Sequence, residues 1–152
     1  MPRKPRPPGR QFAALPFAER EGERMVVLVT SRETGRWVLP KGWAEKGLTG
    51  PELAAKEAFE EAGLIGEMAA KRIGSYRYLK RLPKGRAVDC KVDVFSMRID
   101  QLLDDWPERG QRKREWFTLG QAAMVVDEGD LVTLLLKLDA AGDERPSAAG
   151  TS

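Results

Sequence analysis

Apolar and polar positions along the chain change period several times, and each change marks an expected element. Phe12 to Phe17 is a short apolar stretch that reads as a strand, and Met25-Val-Val-Leu-Val-Thr30 is β-branched and apolar enough for a buried strand. Ser31 to Gly35 reads as a turn, and Trp37-Val-Leu39 as a brief strand ended by Pro40. Gly42, Gly47 and Gly50 then mark a glycine-rich loop. Beyond it the period becomes helical: Ala55, Ala58, Phe59 and Ala62 fall at i, i+3, i+4 and i+7. Thr49 followed three residues later by Glu52 has the form of a capping box, Pro51 suits a first turn, and Gly63 is a natural stop, so a helix is expected over 50–62. Met68 to Lys80 reads as one strand, with a loop at Leu82 to Arg86. Val88, Cys90, Val92 and Val94 alternate with Asp89, Lys91 and Asp93, the pattern of a half-buried strand. Glu115-Trp-Phe117 is a short strand, Thr118 caps a helix reaching Val126, and Asp130 to Leu138 is a last helix. Strands on both sides of a central helix, with helices late, give an α+β protein or a three-layer α/β/α sandwich around a mixed sheet.

The 152 residues suffice for one domain with its own core. The expected division is a basic, proline-rich tail over 1–10, a folded domain over 11–138 and a flexible tail over 139–152. Of 26 basic and 23 acidic residues, Arg3, Lys4, Arg6 and Arg10 lie in the first ten positions and no acid does, so the remainder is close to neutral. That balance does not call for nucleic acid. No apolar run is long enough to span a bilayer. A cytoplasmic protein, monomeric or a small homo-oligomer, is the expectation.

Composition narrows the chemistry. There is no His, and Cys90 is the single cysteine. Catalytic triads and dyads built on His are excluded, as are His or multi-cysteine zinc cages and an internal disulfide. A protein-bound metal would be held by oxygen, which favours hard ions such as magnesium or manganese. Oxygen ligands are concentrated on the expected central helix, where Glu57, Glu60 and Glu61 stand at i, i+3 and i+4. They share about 100° of arc, placed opposite the Ala55/Ala58/Phe59/Ala62 stripe. Three carboxylates so close repel one another unless a cation sits among them. A solvated acidic face, with Lys56 pairing Glu60 at i, i+4, reads the same triplet without a metal.

The surrounding residues separate these readings. From Gly42 to Leu64 the chain resembles the Nudix box, G-x(5)-E-x(7)-R-E-U-x-E-E-x-G-U with U apolar: Gly42, Glu57, Ala58, Glu60, Glu61, Gly63 and Leu64 are in register. Leu48 stands where the box has its first Glu, and Lys56 where it has Arg. Lys56 keeps that charge but not the forked hydrogen bonding. Val27 to Arg32, Gly35-Arg-Trp37, Leu39-Pro-Lys-Gly42, Asp104-Asp-Trp106 and Arg112-Lys-Arg-Glu-Trp-Phe117 are similar to the diphosphoinositol polyphosphate phosphohydrolase branch. The likeness covers residues 11–138.

The resemblance implies the Nudix fold, with a catalytic loop-helix-loop, and Mg²⁺- or Mn²⁺-dependent hydrolysis of phosphoanhydrides. Its substrate would be a polyphosphorylated small molecule, a diphosphoinositol polyphosphate or a dinucleoside polyphosphate. Glu57 and Glu61 would be principal metal ligands, Glu60 a further ligand or the base, and the carbonyl near Gly42 an additional ligand. Arg32, Lys41 and Arg114 match the branch pattern and would bind substrate, as would Arg86 on the basic loop from Lys80 to Arg86, within a wider set of cations that includes Lys84, Arg112 and Lys113. Two other readings remain at this point: removal of 5′ pyrophosphate from RNA, and a Nudix-fold sensor that binds a phosphorylated metabolite without cleaving it.

Overall fold

The computed structural model describes residues 9–143, so most of both expected tails lies outside the described residues. Eight strands form one mixed sheet: β1 (Gly9–Arg20), β2 (Glu23–Thr30), β3 (Trp37–Val38), β4 (Lys41–Trp43), β5 (Leu64–Met68), β6 (Gly74–Arg81), β7 (Ala87–Leu102) and β8 (Arg114–Thr118). Helix α1 (Gly50–Ala62) covers one face, and α2 (Leu119–Val125) with α3 (Gly129–Asp143) covers the other. This is the expected α+β sandwich. Among the described residues no helix is long and apolar enough to cross a membrane.

Two long strands organise the sheet. β1 and β7 run parallel from Gly9↔Cys90 to Phe17↔Arg98. The free edge of β7 takes two antiparallel strands end to end, β6 against 87–94 and β5 against 97–102. The single strand expected over Met68–Lys80 is therefore broken. Ala69 and Ile73 still donate to the carbonyls of Ser96 and Val94, but 70–72 leave the sheet, and Arg72 turns back to Asp93.

β1 likewise changes neighbours. It pairs with β4 through Gln11–Ala13 and with β2 through Phe17–Arg20. Pro16, which has no N–H to give, falls in the interval between the two. The glycine-rich stretch after Pro40 is thus partly strand, held to β1 by a three-residue ladder that its composition does not announce. β1 also starts earlier than expected. Arg10, assigned by sequence to the tail, lies in the strand and is anchored on the buried Asp93 at 2.6 Å, a carboxylate that it shares with Arg72. At the other end α3 continues to Asp143, past the expected boundary at 138.

Helix α1 has the limits its sequence predicts. Thr49 Oγ1 accepts from Glu52 N–H at 3.2 Å, and Glu52 Oε1 accepts from Thr49 N–H at 2.9 Å. Gly63 ends the helix in the left-handed region at φ 65°. Its buried line is displaced by one position from the expected stripe: Ala54, Ala58, Glu61 and Ala62 face the sheet, and Phe59 is 40% exposed. Three alanines let the helix lie close to the strands. That closeness leaves no room for a phenyl ring and turns a carboxylate inward.

The bulge in β5 fixes how α1 is followed back into the sheet. The register against β7 shifts between Ile65 and Gly66, and a Cβ on Gly66 would lie 2.0 Å from the Arg98 carbonyl oxygen. Gly66→Ala is expected to cost about 1–3 kcal/mol, the range for forced overpacking. Gly110→Ala, with open space at its Cβ, should change stability little. Urea unfolding of the two variants beside the parent checks the pair.

Candidate functional site

The partner change in β1 brings the backbone of Lys41 and Gly42 against α1. An added Cβ on Gly42 would lie 2.6 Å from Glu57 Cδ, so a larger residue here would push the Glu57 carboxyl out of its present position. One turn further along the helix, Glu61 Oε1 accepts from Lys41 N–H at 3.3 Å. Glu61 is 5% exposed, and burial, reinforced by Glu57, pushes its carboxyl up to about 8 against the opposing pull of Arg112. Half-burial raises the Glu57 carboxyl as well, and the two are close enough to share a hydrogen bond.

These groups line a cleft of about 690 Å³. Arg32 and Arg36 reach it from the turn after β2, and Lys80 and Arg81 from β6. The Lys41 ammonium lies 5.2 Å from the centre of the Tyr78 ring, whose hydroxyl donates to Gln11 Oε1 at 2.7 Å. Burial lowers the Lys41 ammonium, with Glu128 and Glu61 opposing. Arg112 is almost enclosed, its side chain 10% exposed. Its Nε donates to Glu108 Oε1 at 2.8 Å and its Nη1 to the Thr30 carbonyl at 3.0 Å, and its Nη2 lies 3.7 Å from Glu61 Oε2.

Of the residues singled out from sequence, Glu57, Glu61, Gly42, Arg32 and Lys41 meet in this cleft. Glu60, Arg86 and Arg114 are not among its lining residues. The Glu60 carbonyl accepts from Glu108 N–H at 3.0 Å and so ties a loop to the helix. Arg86 is exposed in the hairpin between β6 and β7, whose cations in the cleft are Lys80 and Arg81 instead.

Arg114, expected to bind substrate, is engaged with backbone carbonyls at the end of α1. Its Nη1 donates to the Ala62 carbonyl at 2.8 Å and its Nη2 to the Leu103 carbonyl at 2.7 Å, while its guanidinium stacks 4.0 Å from the centre of Trp106. Trp106 Nε1 in turn donates to the Glu61 carbonyl at 3.1 Å. Together they close the C-terminal end of α1, whose last carbonyls have no helical partner.

The sequence gives little notice of Glu108, Tyr78, Gln11 or Glu128. Gln11 alone carries a signal, a polar residue entering an apolar strand. Trp43, 41% exposed, lines the cleft, whereas Trp37 packs edge-on to Phe117. Cys90 is buried, and burial pushes its thiol up, as suits inert packing.

Among the described residues no three carboxylates converge as a ready-made metal cage. Two neighbouring carboxyls beside the partly exposed Lys41–Gly42 backbone nevertheless suit a hard divalent ion, which keeps water for its remaining positions.

Comparison with known proteins gives a consistent picture. A family model described as the NUDIX domain matches residues 7–135. The chain is 34% identical over 103 residues to Nudix hydrolase 12, mitochondrial, of Arabidopsis thaliana, a match that takes in 64% of this chain and 49% of that protein. It is 28% identical over 119 residues to diphosphoinositol polyphosphate phosphohydrolase 3-alpha of Mus musculus, covering 77% of this chain and 68% of the relative. Against the plant protein, the matched part spans about half the relative's length. A crystal structure of C. elegans Ap4A hydrolase superposes with a TM-score of 0.61 at 20% identity, over 87% of this chain and 96% of that one, a likeness of fold.

Two expectations follow from the geometry. Glu61 has a folded pKa above that of an unfolded glutamate, so the metal-free fold binds more protons than the unfolded chain between about 4.5 and about 8. Its stability should therefore fall as pH rises through that window, and Glu61→Gln should flatten the slope, as read by urea midpoints in the presence of a chelator. Arg114→Ala leaves part-buried carbonyls unpaired and should cost about 3 kcal/mol. A variant of unchanged stability that binds inorganic pyrophosphate more weakly would instead make Arg114 a phosphate contact.

Proposed function

The chain belongs to the NUDIX domain family, and on that premise we propose that it is a metal-dependent pyrophosphohydrolase acting on a small molecule that carries a diphosphate or longer phosphate chain. The observation that carries this reading is the meeting of Glu57 and Glu61 with the Lys41–Gly42 backbone in a cleft lined elsewhere by Arg32, Arg36, Lys80 and Arg81. Anionic phosphates drawn in by those cations would be repelled by these two groups once both are ionised. A divalent ion between them removes the conflict.

Glu57 and Glu61 are the residues that would hold Mg²⁺ or Mn²⁺, with the backbone at Gly42 a further oxygen donor. Such an ion, when bound, offsets phosphoryl charge and acidifies a water. The rest is done by the chain. Gly42 lets the loop close on Glu57, and the Lys41 N–H orients Glu61. Arg32, Lys80 and Arg81 supply charge to bind phosphates in line. Glu60, whose side chain does not line the cleft, contributes through its carbonyl to the placement of Glu108.

The substrate class we infer is diphosphoinositol polyphosphates or dinucleoside polyphosphates. The cleft presents many cations and few exposed rings, which suits recognition of phosphates more than of bases. The similarity to a diphosphoinositol polyphosphate phosphohydrolase supports the same choice.

Phosphate release from a panel of diphosphoinositol polyphosphates, dinucleoside polyphosphates and 5′-triphosphorylated RNA tests the proposal. Turnover should require Mg²⁺ or Mn²⁺, stop with EDTA and favour the small molecules. Glu57→Gln and Glu61→Gln should each lower kcat by roughly 100-fold or more with the fold retained. Undiminished turnover in a folded Glu61→Gln variant would end this assignment.

A further inference from the structure

The basic residue on α1 next to the carboxylates does not brace them. Lys56 Nζ reaches outward to Glu45 Oε2 at 2.8 Å, and both side chains are about half exposed. An exposed pair of this kind contributes little and fixes nothing in the cleft. The cation that does approach Glu61 comes from elsewhere in the chain, on the loop before β8.

Arg112 is immobilised from three directions. Thr30 N–H donates to the Lys113 carbonyl at 3.0 Å, and Lys113 N–H donates to Thr30 Oγ1 at 2.9 Å, so the Thr30 carbonyl that accepts from Nη1 belongs to a locked end of β2. Glu108, which accepts from Nε, is itself pinned by its N–H to the Glu60 carbonyl. With the plane of the guanidinium set by these two contacts, Nη2 faces Glu61 at 3.7 Å. Arg112 thus joins β2, the loop over 103–113 and α1 through one planar group, and its three nitrogens all face protein acceptors. A phosphate-gripping arginine would present a free fork instead.

We propose that Arg112 is a positioning residue: it holds the Glu61 carboxylate beside Glu57 in the arrangement that receives the divalent ion, a task that Lys56 is turned away from. The proposal rests on the metal-dependent hydrolase reading for its kinetic consequence, and on the geometry alone for its effect on metal binding. Lysine cannot substitute, because a point charge on a flexible stem does not address three acceptors in fixed directions.

The test uses the full chain with Arg112→Lys, Arg112→Ala, Glu108→Gln and, as a control outside the cleft machinery, Lys56→Ala. Mn²⁺ binding is followed by electron paramagnetic resonance, and kcat and KM are measured on the best substrate of the panel. Both Arg112 variants should weaken Mn²⁺ binding and lower kcat by about 10–100-fold, the usual range for groups that orient metal ligands, with KM within about threefold of the parent. Glu108→Gln should shift both in the same direction by less, and Lys56→Ala should change neither. A raised KM with kcat and Mn²⁺ affinity unchanged would make Arg112 a substrate contact and overturn the proposal. So would full function in Arg112→Lys, or an equal loss in Lys56→Ala. Should Arg112→Ala fail to fold, Arg112→Lys and Glu108→Gln give the same readings. If the parent cleaves nothing in the panel, the hydrolase reading falls and the Mn²⁺ titrations alone decide: weaker binding in Arg112→Lys upholds the positioning role, and unchanged or absent binding overturns it.

Discussion

The carboxyl of Glu61 sits almost out of reach of solvent, one hydrogen bond from the Lys41 N–H and one ion-pair distance from Arg112. An acidic group in that position is costly to ionise, and the surrounding structure is arranged around that cost. The helix carrying it must lie close to the sheet, which Ala54, Ala58 and Ala62 allow. The loop beside it must offer bare backbone, which Gly42 provides. The end of the helix must not drift, and Arg114 and Trp106 hold its last carbonyls. Each is a local packing choice, and together they keep two carboxyls adjacent where repulsion would otherwise separate them.

The same constraint explains how charge is distributed. Acidic groups are gathered where the helix meets the loop, and basic groups from the turn after β2 and from β6 line other parts of the cleft. Some of the cations are engaged: Arg36 pairs with Asp127 at 3.3 Å, and Arg112 is taken up by Glu108 and Glu61. Lys80 and Arg81 make no ion pair among the described residues and so face the cleft unneutralised. Separating the two signs, instead of pairing them throughout, leaves a recess that, on the proposed reading, an ion and an anionic ligand would fill together.

Much of α1 could be read from sequence because its signals are local. The cap formed by Thr49 and Glu52, the proline of the first turn and the left-handed Gly63 all act within a few residues of where they stand. The face it buries differs by one position from the apolar stripe, because Phe59 is the more apolar residue whereas Glu61 is the one the close packing admits. Features that depend on distant partners were not legible. The ladder of β4 on β1 needs the gap beside Pro16, and the break between β5 and β6 needs Asp93 as an anchor for Arg72. Arg112 and Arg114 stand two residues apart in one basic run, yet one reaches the cleft and the other closes a helix. What separates them is which carbonyls lie opposite, Thr30 in one case and Ala62 and Leu103 in the other.

The end-to-end seating of β5 and β6 on a single edge of β7 has a further implication. Their registers are fixed independently, one on 97–102 and the other on 87–94, and the chain joining them leaves the sheet with Ala70 and Lys71 exposed. Extra sequence spliced at that junction would extrude into solvent without sliding either strand along its rail, since the Ala69 and Arg72 contacts clamp both sides. The junction is therefore a natural port for a reporter or tethering module, where added length leaves the ionisable centre of the molecule as it is.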